Sequence, residues 1–209
     1  MHQAILSLNT AMLRYIRFIS DGLKDKRILD IGCGTGFYTY YFGKKNHVAG
    51  IDLQSCVGEQ YKNFRFQQAD ATALPFKTNT FDVAISFDVI EHVEHDFDMI
   101  KEAYRVLKRG GQLIIGTPNR DRLIHLILKY LGSPVKYPLY IGSYDDLGEM
   151  IHVREYTNID LKNILVKAGF SKIEVEPFWL GLSAVGPGLV RGPEVFSRYS
   201  QYLFAKAYK

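Results

Sequence analysis

Along the chain, short apolar runs alternate with stretches in which apolar residues recur every three or four positions. This is the signature of strands feeding helices in a layered α/β fold. Ile5, Leu8, Met12, Ile16 and Ile19 fall on one helical face amid Asn9, Arg14 and Arg17, predicting an amphipathic helical cap within residues 1–25. Arg27 to Ile31 reads as a buried strand, Phe37 to Lys45 as the helix after it, and His47 to Asp52 as a second strand. Phe64 to Gln68 and Phe81 to Phe87 supply the third and fourth, the latter apolar enough for the centre of a parallel sheet.

Phe97, Ile100, Tyr104 and Leu107 then mark one face of a helix over Glu94 to Leu107, which Gly110 and Gly111 stop. Gln112 to Thr117 is a fifth strand closed by Pro118. Thr157 and Asp160 form a reciprocal cap for a helix carrying Leu161, Ile164, Leu165 and Ala168 inward until Gly169. Phe170 to Glu176 and Tyr202 to Tyr208 read as late strands, an antiparallel pair at the edge. Two stretches break the alternation. Residues 119–156 hold a helix (Leu123, Ile124, Ile127, Leu128, Leu131) and then Tyr137, Tyr140 and Tyr144, while residues 178–195 are rich in glycine and proline. Insertions of this kind serve as lids or acceptor-site loops, or else as surface decoration.

Composition changes this picture little. With 209 residues, 47% hydrophobic and 23% charged, the chain suits one globular domain and not a disordered one. A net charge of +4 admits an anionic partner without requiring one. The two cysteines, Cys33 and Cys56, make no Cys-x-x-Cys pair, so neither a disulfide framework nor a cysteine-rich zinc site is expected, and the cytoplasm is the expected compartment. No apolar run reaches the roughly 18 residues of a membrane span, and no secretory leader is expected.

The chemistry concentrates at Ile28-Leu29-Asp30-Ile31-Gly32-Cys33-Gly34-Thr35-Gly36, a strand running directly into a helix. Glycines there let the backbone turn tightly and approach a ligand, and the helix start offers free N–H groups. The spacing is Gly-x-Gly-x-Gly, not the Gly-x-Gly-x-x-Gly of dinucleotide sites, and no Gly-Lys-Ser or Gly-Lys-Thr follows as in phosphate-binding NTPase loops. Asp52, at the end of the second strand, has two carboxylate oxygens for the two hydroxyls of a ribose. Asp70, with Ala71 beside it, follows the third strand and can accept from an adenine amino group; capping of the next turn is its alternative. Ser86 and Phe87 close the fourth strand, where Phe87 borders a ligand or packs in the core.

In order and spacing these segments resemble the successive cofactor motifs of the class I S-adenosylmethionine-dependent methyltransferases, over about residues 26–117. The resemblance implies one doubly wound, mostly parallel seven-stranded sheet with helices on both faces and one antiparallel edge strand. It also implies S-adenosylmethionine held by Asp30, Gly32, Gly34, Gly36, Asp52, Asp70, Ala71 and Phe87, at the carboxyl ends of the strands.

For transfer to an acceptor, His92 is the first candidate base, because imidazole changes protonation near neutral pH; structural hydrogen bonding behind the pocket is the alternative. His152 and Tyr156, in His152-Val153-Arg154-Glu155-Tyr156-Thr157, stand before the late helix as candidates to reach the acceptor, or else Tyr156 packs against the insertion and Arg154 pairs with a surface carboxylate. Asp88, Glu91 and His92 are similar to a divalent-metal segment of ubiquinone-pathway O-methyltransferases, with aspartate in place of the usual glutamate; an acidic solvated helix face explains them as well, and no metal is assigned. The expected partner is a small-molecule acceptor, with no stable nucleic-acid partner, since Arg120, Arg122, Lys129 and Lys136 make a basic surface without a recognition module. A homodimer is left open. A noncatalytic cofactor-binding protein is the reading from another class, disfavoured by the intact glycine loop and acidic positions.

Overall fold

A computed structural model describes residues 10–54, 63–144, 148–178 and 198–209. Ile5, Leu8, Cys56 and most of the 178–195 loop lie outside them. In chain order the elements are α1 (Thr10–Asp21), β1 (Arg27–Ile31), α2 (Thr39–Gly43), β2 (His47–Asp52), β3 (Phe64–Gln68), β4 (Phe81–Phe87), a 3-10 turn (Ile90–His92), α3 (Asp96–Val106) and β5 (Leu107–Pro118). They continue with α4 (Leu123–Tyr130), β6 (Leu139–Tyr144), β7 (Gly148–His152), α5 (Asn158–Lys167), β8 (Ser171–Phe178) and β9 (Tyr202–Tyr208).

Seven strands form one sheet in the order β3-β2-β1-β4-β5-β9-β8. The run from β3 to β5 is parallel, and β9 is antiparallel to both β5 and β8, so the reversed strand lies next to the β8 edge. Successive residues of one strand face opposite cores, as the period of two demands. Leu29 and Ala84 pack with Met99, Ile100, Ala103 and Val106 of α3 and Leu161 and Leu165 of α5. Ile28, Val83 and Ile85 pack on the other face with Met12, Ile16 and Ile19 of α1 and Phe42 of α2. Helices therefore cover both faces, and each large apolar side chain fully withdrawn from water contributes about 1.5–3 kcal/mol.

The helix expected to run to Leu107 ends at Val106. Leu107 instead pairs with Phe81, and the register then jumps so that Val83 meets Gln112. Gly110 turns with φ +73°, and a β-carbon at Gly111 would come 2.8 Å from the Lys108 carbonyl oxygen, so the two glycines shape a bulge in the strand and do not stop the helix. The cap at α5 forms as expected: Thr157 and Asp160 bond reciprocally, and Gly169 ends the helix with φ +101°.

Between β5 and α5 the chain adds α4, which presents Ile124, Ile127 and Tyr130 outward, and the antiparallel hairpin β6–β7. The hairpin had no clear alternating pattern in the sequence. Among the described residues, it is the part of the insertion that reaches the cleft, through Met150. Among the described residues no helix is long and apolar enough to cross a membrane.

Candidate functional site

A cleft of about 580 Å³ opens at the carboxyl ends of β1, β2 and β4. Its floor is the turn after β1, where the N–H groups of Gly32 and Cys33 both donate to the Ile51 carbonyl at 2.8 and 2.9 Å, binding the loop to the end of β2. Gly32 has φ +74°, and a β-carbon there would stand 2.3 Å from Cγ2 of Val89. No other residue type fits that approach. Gly34 also takes a positive φ, +49°, with open space on its cleft side, and its N–H donates to Asp52 Oδ2 at 2.9 Å. The Asp52 Oδ1 accepts from Gln54 N at 3.1 Å, so the carboxylate is held at the strand end that lines the cleft.

Further along the wall stand Asp70, Ala71, Thr72, Phe87 and Tyr38. Asp70 Oδ1 accepts from both the N–H and the hydroxyl of Thr72 at 2.8 Å, so the turn-capping alternative is realised while the residue still lines the cleft. Behind the floor, Asp30 is buried and accepts from the Thr39 hydroxyl at 2.5 Å. Burial, partly offset by Thr39, pushes its carboxyl up to about 7.

The cleft ends in a polar corner. Asp88 and His92 from the segment after β4 and Met150 from β7 line it. The His92 Nδ1 lies 2.9 Å from the Ile151 carbonyl oxygen, and its Nε2 is buried without a hydrogen-bond partner. Burial holds the ring below the usual imidazole range. A carbonyl oxygen only accepts, so Nδ1 carries the proton and Nε2 presents a lone pair. Edge-on to His92, with ring centroids 4.8 Å apart, sits His152. Its Nδ1 is 2.8 Å from Glu155 Oε1.

Glu155 is buried at the base of this corner and is gripped at two points by Arg122, Nη2 to Oε1 at 2.9 Å and Nη1 to Oε2 at 2.8 Å. Burial alone would raise its carboxyl, but His152 and Arg122 more than offset that and hold it below the ordinary range. Glu91 is also fully buried. Thr117 donates to its Oε2 at 2.8 Å, and Oε1 has no hydrogen-bond partner. Burial, with the neighbouring Asp88 acting in the same direction, pushes Glu91 well up; burial likewise brings Asp88 to about 6, against the Tyr202 hydroxyl and His152.

Residues 29–115 match the family model described as a methyltransferase domain. The chain is 28% identical over 159 residues to a ubiquinone biosynthesis O-methyltransferase of Coxiella burnetii, covering 72% of this chain and 67% of that one. It is 29% identical over 196 residues to a demethylmenaquinone methyltransferase of Bacillus cereus, covering 82% and 81%. In fold it is similar to a methyltransferase of Thermotoga maritima, described as a possible histamine N-methyltransferase, with TM-score 0.68 and 21% identity over 100% of this chain and 94% of that one. Residues 29–115 are a methyltransferase domain, and the chain is an S-adenosylmethionine-dependent methyltransferase.

In this methyltransferase, Gly32, Gly34, Asp52, Asp70, Ala71, Phe87 and His92 all line the cleft. Asp30 and Gly36 do not line it. Asp30 anchors Thr39 beneath the floor, and Gly36, with φ +79°, closes the turn through its N–H to the Cys33 carbonyl at 2.8 Å. His152 stands one ring behind His92. Tyr156 is not brought to the cleft at all: it is buried in the core, and its hydroxyl donates to Asp96 Oδ2 at 2.6 Å. Arg154 is likewise structural, donating to the Val93 and Glu94 carbonyls at 2.8 and 2.9 Å and pairing with Asp96.

Sequence reading missed Glu155 and Met150. A glutamate three residues from a candidate histidine was the signal for the first, but its burial and its partner Arg122, 33 residues away, appear only in the fold. The divalent-metal set suggested by resemblance also comes out differently. Donor atoms of Glu91, His92 and His152 lie within 4.8 Å of one another, and Asp88 is outside that group.

Proposed function

We propose that this methyltransferase moves the methyl group of S-adenosylmethionine to a ring hydroxyl of a small, aromatic, quinol-like acceptor. The observation that carries the reading is the buried lone pair of His92 Nε2 at the far end of the cofactor cleft, beyond Phe87. The names of the relatives, enzymes of ubiquinone biosynthesis and of demethylmenaquinone methylation, support the acceptor class.

In the proposed arrangement Asp52 takes the ribose and Asp70 the adenine end, while the glycine loop admits the methionine part and Phe87 and Tyr38 offer aromatic faces to the sulfonium. The acceptor enters against Met150 and the β6–β7 hairpin, which leaves its hydroxyl oxygen to approach the methyl carbon opposite the sulfur. The new O–C bond forms as the C–S bond breaks, S-adenosylhomocysteine leaves, and the hydroxyl proton passes to the polar corner, where His92 Nε2 is an available acceptor. A resident cation in that corner would lower the pKa of the acceptor hydroxyl.

Incubation of the purified protein and isotopically labelled S-adenosylmethionine with polyhydroxylated aromatics and quinols, other small metabolites, RNA, DNA and proteins tests this. Label in an O-methylated aromatic product, identified by mass spectrometry, is expected. Activity confined to nucleic acid or protein, or methyl groups found only on carbon or nitrogen, sinks it.

A further inference from the structure

Each edge of an open sheet carries a row of unpaired N–H and C=O groups, and proteins guard such edges with charge or proline. The two edges of the large sheet are guarded. β8 exposes Lys172, Glu174 and Glu176, and β3 exposes Arg65, Gln67 and Gln68. The inserted hairpin has an edge that is not. Among the described residues β6 pairs with β7 alone, and its sequence, Leu139-Tyr140-Ile141-Gly142-Ser143-Tyr144, holds no charge. The far side of β7 is occupied, since the Ile151 carbonyl accepts from His92 Nδ1 and the Val153 N–H donates to the Glu91 carbonyl at 2.8 Å. We propose that β6 is a dimerisation strand, pairing antiparallel with β6 of a second copy of this chain across a two-fold axis.

The occupant follows from what the surface offers. The free ladder groups of β6 need a partner with backbone donors and acceptors at the same spacing, which a lipid surface lacks. An identical strand supplies them by symmetry, and an uncharged β6 meets no like charge in its own copy. The apolar surroundings agree. A bulge between Tyr140 and Gly142 leaves Ile141 42% exposed, and Tyr140 and its cross-strand neighbour Ile151 are exposed on the hairpin face opposite Met150 and His152. Helix α4 is sided in the same way: His125 Nδ1 lies 3.8 Å from Glu155 Oε2, while Leu123, Ile124, Ile127 and Tyr130 stay in water. Helix and hairpin both turn a polar side to the Glu155 corner and an apolar side away from it. A six-residue edge covers too little by itself, and these side chains bring the contact toward the roughly 800 Å² per partner of a stable interface.

Pairing extends the hairpin, marginal as two strands, to a four-stranded sheet in the order β7-β6-β6-β7. Because β7 carries Met150, the Ile151 carbonyl and His152, self-association steadies that end of the cleft and leaves the end built on the large sheet unchanged. Its consequence for transfer rests on the function proposed above, but self-association is measured with no acceptor present.

The test is sedimentation velocity of the full-length protein between about 1 and about 100 µM, with hydrogen exchange read by mass spectrometry at both ends of the range. A dimer that forms with concentration is expected, together with slower exchange of the amides in residues 139–144. Ile141→Lys sets two cations beside one two-fold axis and should weaken association at least about tenfold and remove the added protection. Ile127→Asp, on α4, should weaken it less. Calorimetry with S-adenosylmethionine and thermal unfolding on the same samples confirm that each variant is folded. Wild-type protein that binds the cofactor yet stays monomeric throughout overturns the dimer and leaves the methyl-transfer reading standing; co-sedimentation of that monomer with phosphatidylglycerol vesicles would assign the apolar face to a lipid surface instead. A dimer that Ile127→Asp dissociates and Ile141→Lys leaves intact, with unchanged exchange in residues 139–144, moves the contact to α4 and overturns the strand assignment.

Discussion

Arg122 and Glu155, 33 residues apart, meet in a two-point ion pair whose carboxylate side is fully buried and whose guanidinium is largely so. The pair stands under His152 and joins the start of α4 to the segment leading into α5. Removing the cation alone would strand an ionised carboxylate away from water. Arg122→Met is therefore expected to cost about 3–5 kcal/mol of stability, the range for breaking one side of a buried pair. Urea denaturation measures it, and a change below 1 kcal/mol would show that water reaches Glu155.

At the floor of the cleft, Gly32→Ala forces a β-carbon into Val89 and holds a side chain at φ +74°. We expect a loss of both stability and cofactor affinity. The double variant Gly32→Ala, Val89→Ala relieves the collision but not the backbone strain, so it should recover all but about 1–2 kcal/mol. No recovery at all would mean that the backbone conformation, and not Val89, sets the requirement for glycine.

Cofactor affinity should depend on Asp52 far more than on Asp70. The Asp52→Ala variant loses hydrogen bonds from ribose hydroxyls to a charged acceptor, each contributing about 1.5–3 kcal/mol, so calorimetry should show at least a tenfold weaker dissociation constant. Asp70→Asn keeps a carbonyl acceptor and should fall by less. Unchanged affinity in a folded Asp52→Ala protein removes the ribose assignment.

Asp30 makes stability depend on pH in a direction opposite to that of a salt-bridged aspartate. Burial raises its carboxyl to about 7, so between about pH 4 and 7 the folded protein holds a proton that the unfolded chain releases. The stability this proton gives is complete below about pH 4, declines across that window and is lost above it. Asp30→Asn cannot titrate, and it should gain on the wild type as the pH rises from 5 to 8, by at most about 3 kcal/mol. Urea midpoints at the two pH values decide; an identical difference at both means that Asp30 stays ionised in the folded protein.

Where local pattern and packing agree, the sequence was a sufficient guide. The strands over Arg27–Ile31, His47–Asp52 and Phe64–Gln68 and the capping box at Thr157 and Asp160 stand where apolar runs and cap chemistry put them. That Gly32, Gly34, Asp52 and Asp70 line the cleft was legible for the same reason, since each stands at the end of a strand or within three residues after it. The acceptor side was not. Its geometry depends on pairings between distant segments: Glu155 with Arg122, His92 with the Ile151 carbonyl, Tyr156 with Asp96. Tyr156 shows the difficulty in a single residue, because nothing local tells whether a tyrosine before a helix turns to the ligand or to the core.

The strand β7 carries Met150 into the cleft, offers its Ile151 carbonyl to His92 and ends on His152. Three consecutive residues thus line the cleft, aim one imidazole and supply another. If the acceptor binds where we propose, selectivity and reactivity sit on one peptide, so a shift of that strand by a single position would exchange the side facing the acceptor and disarm the chemistry in the same step. New acceptors would have to be accommodated by changing side chains on a strand kept in place, or by replacing the hairpin as a unit, with the sheet and its cofactor end left untouched.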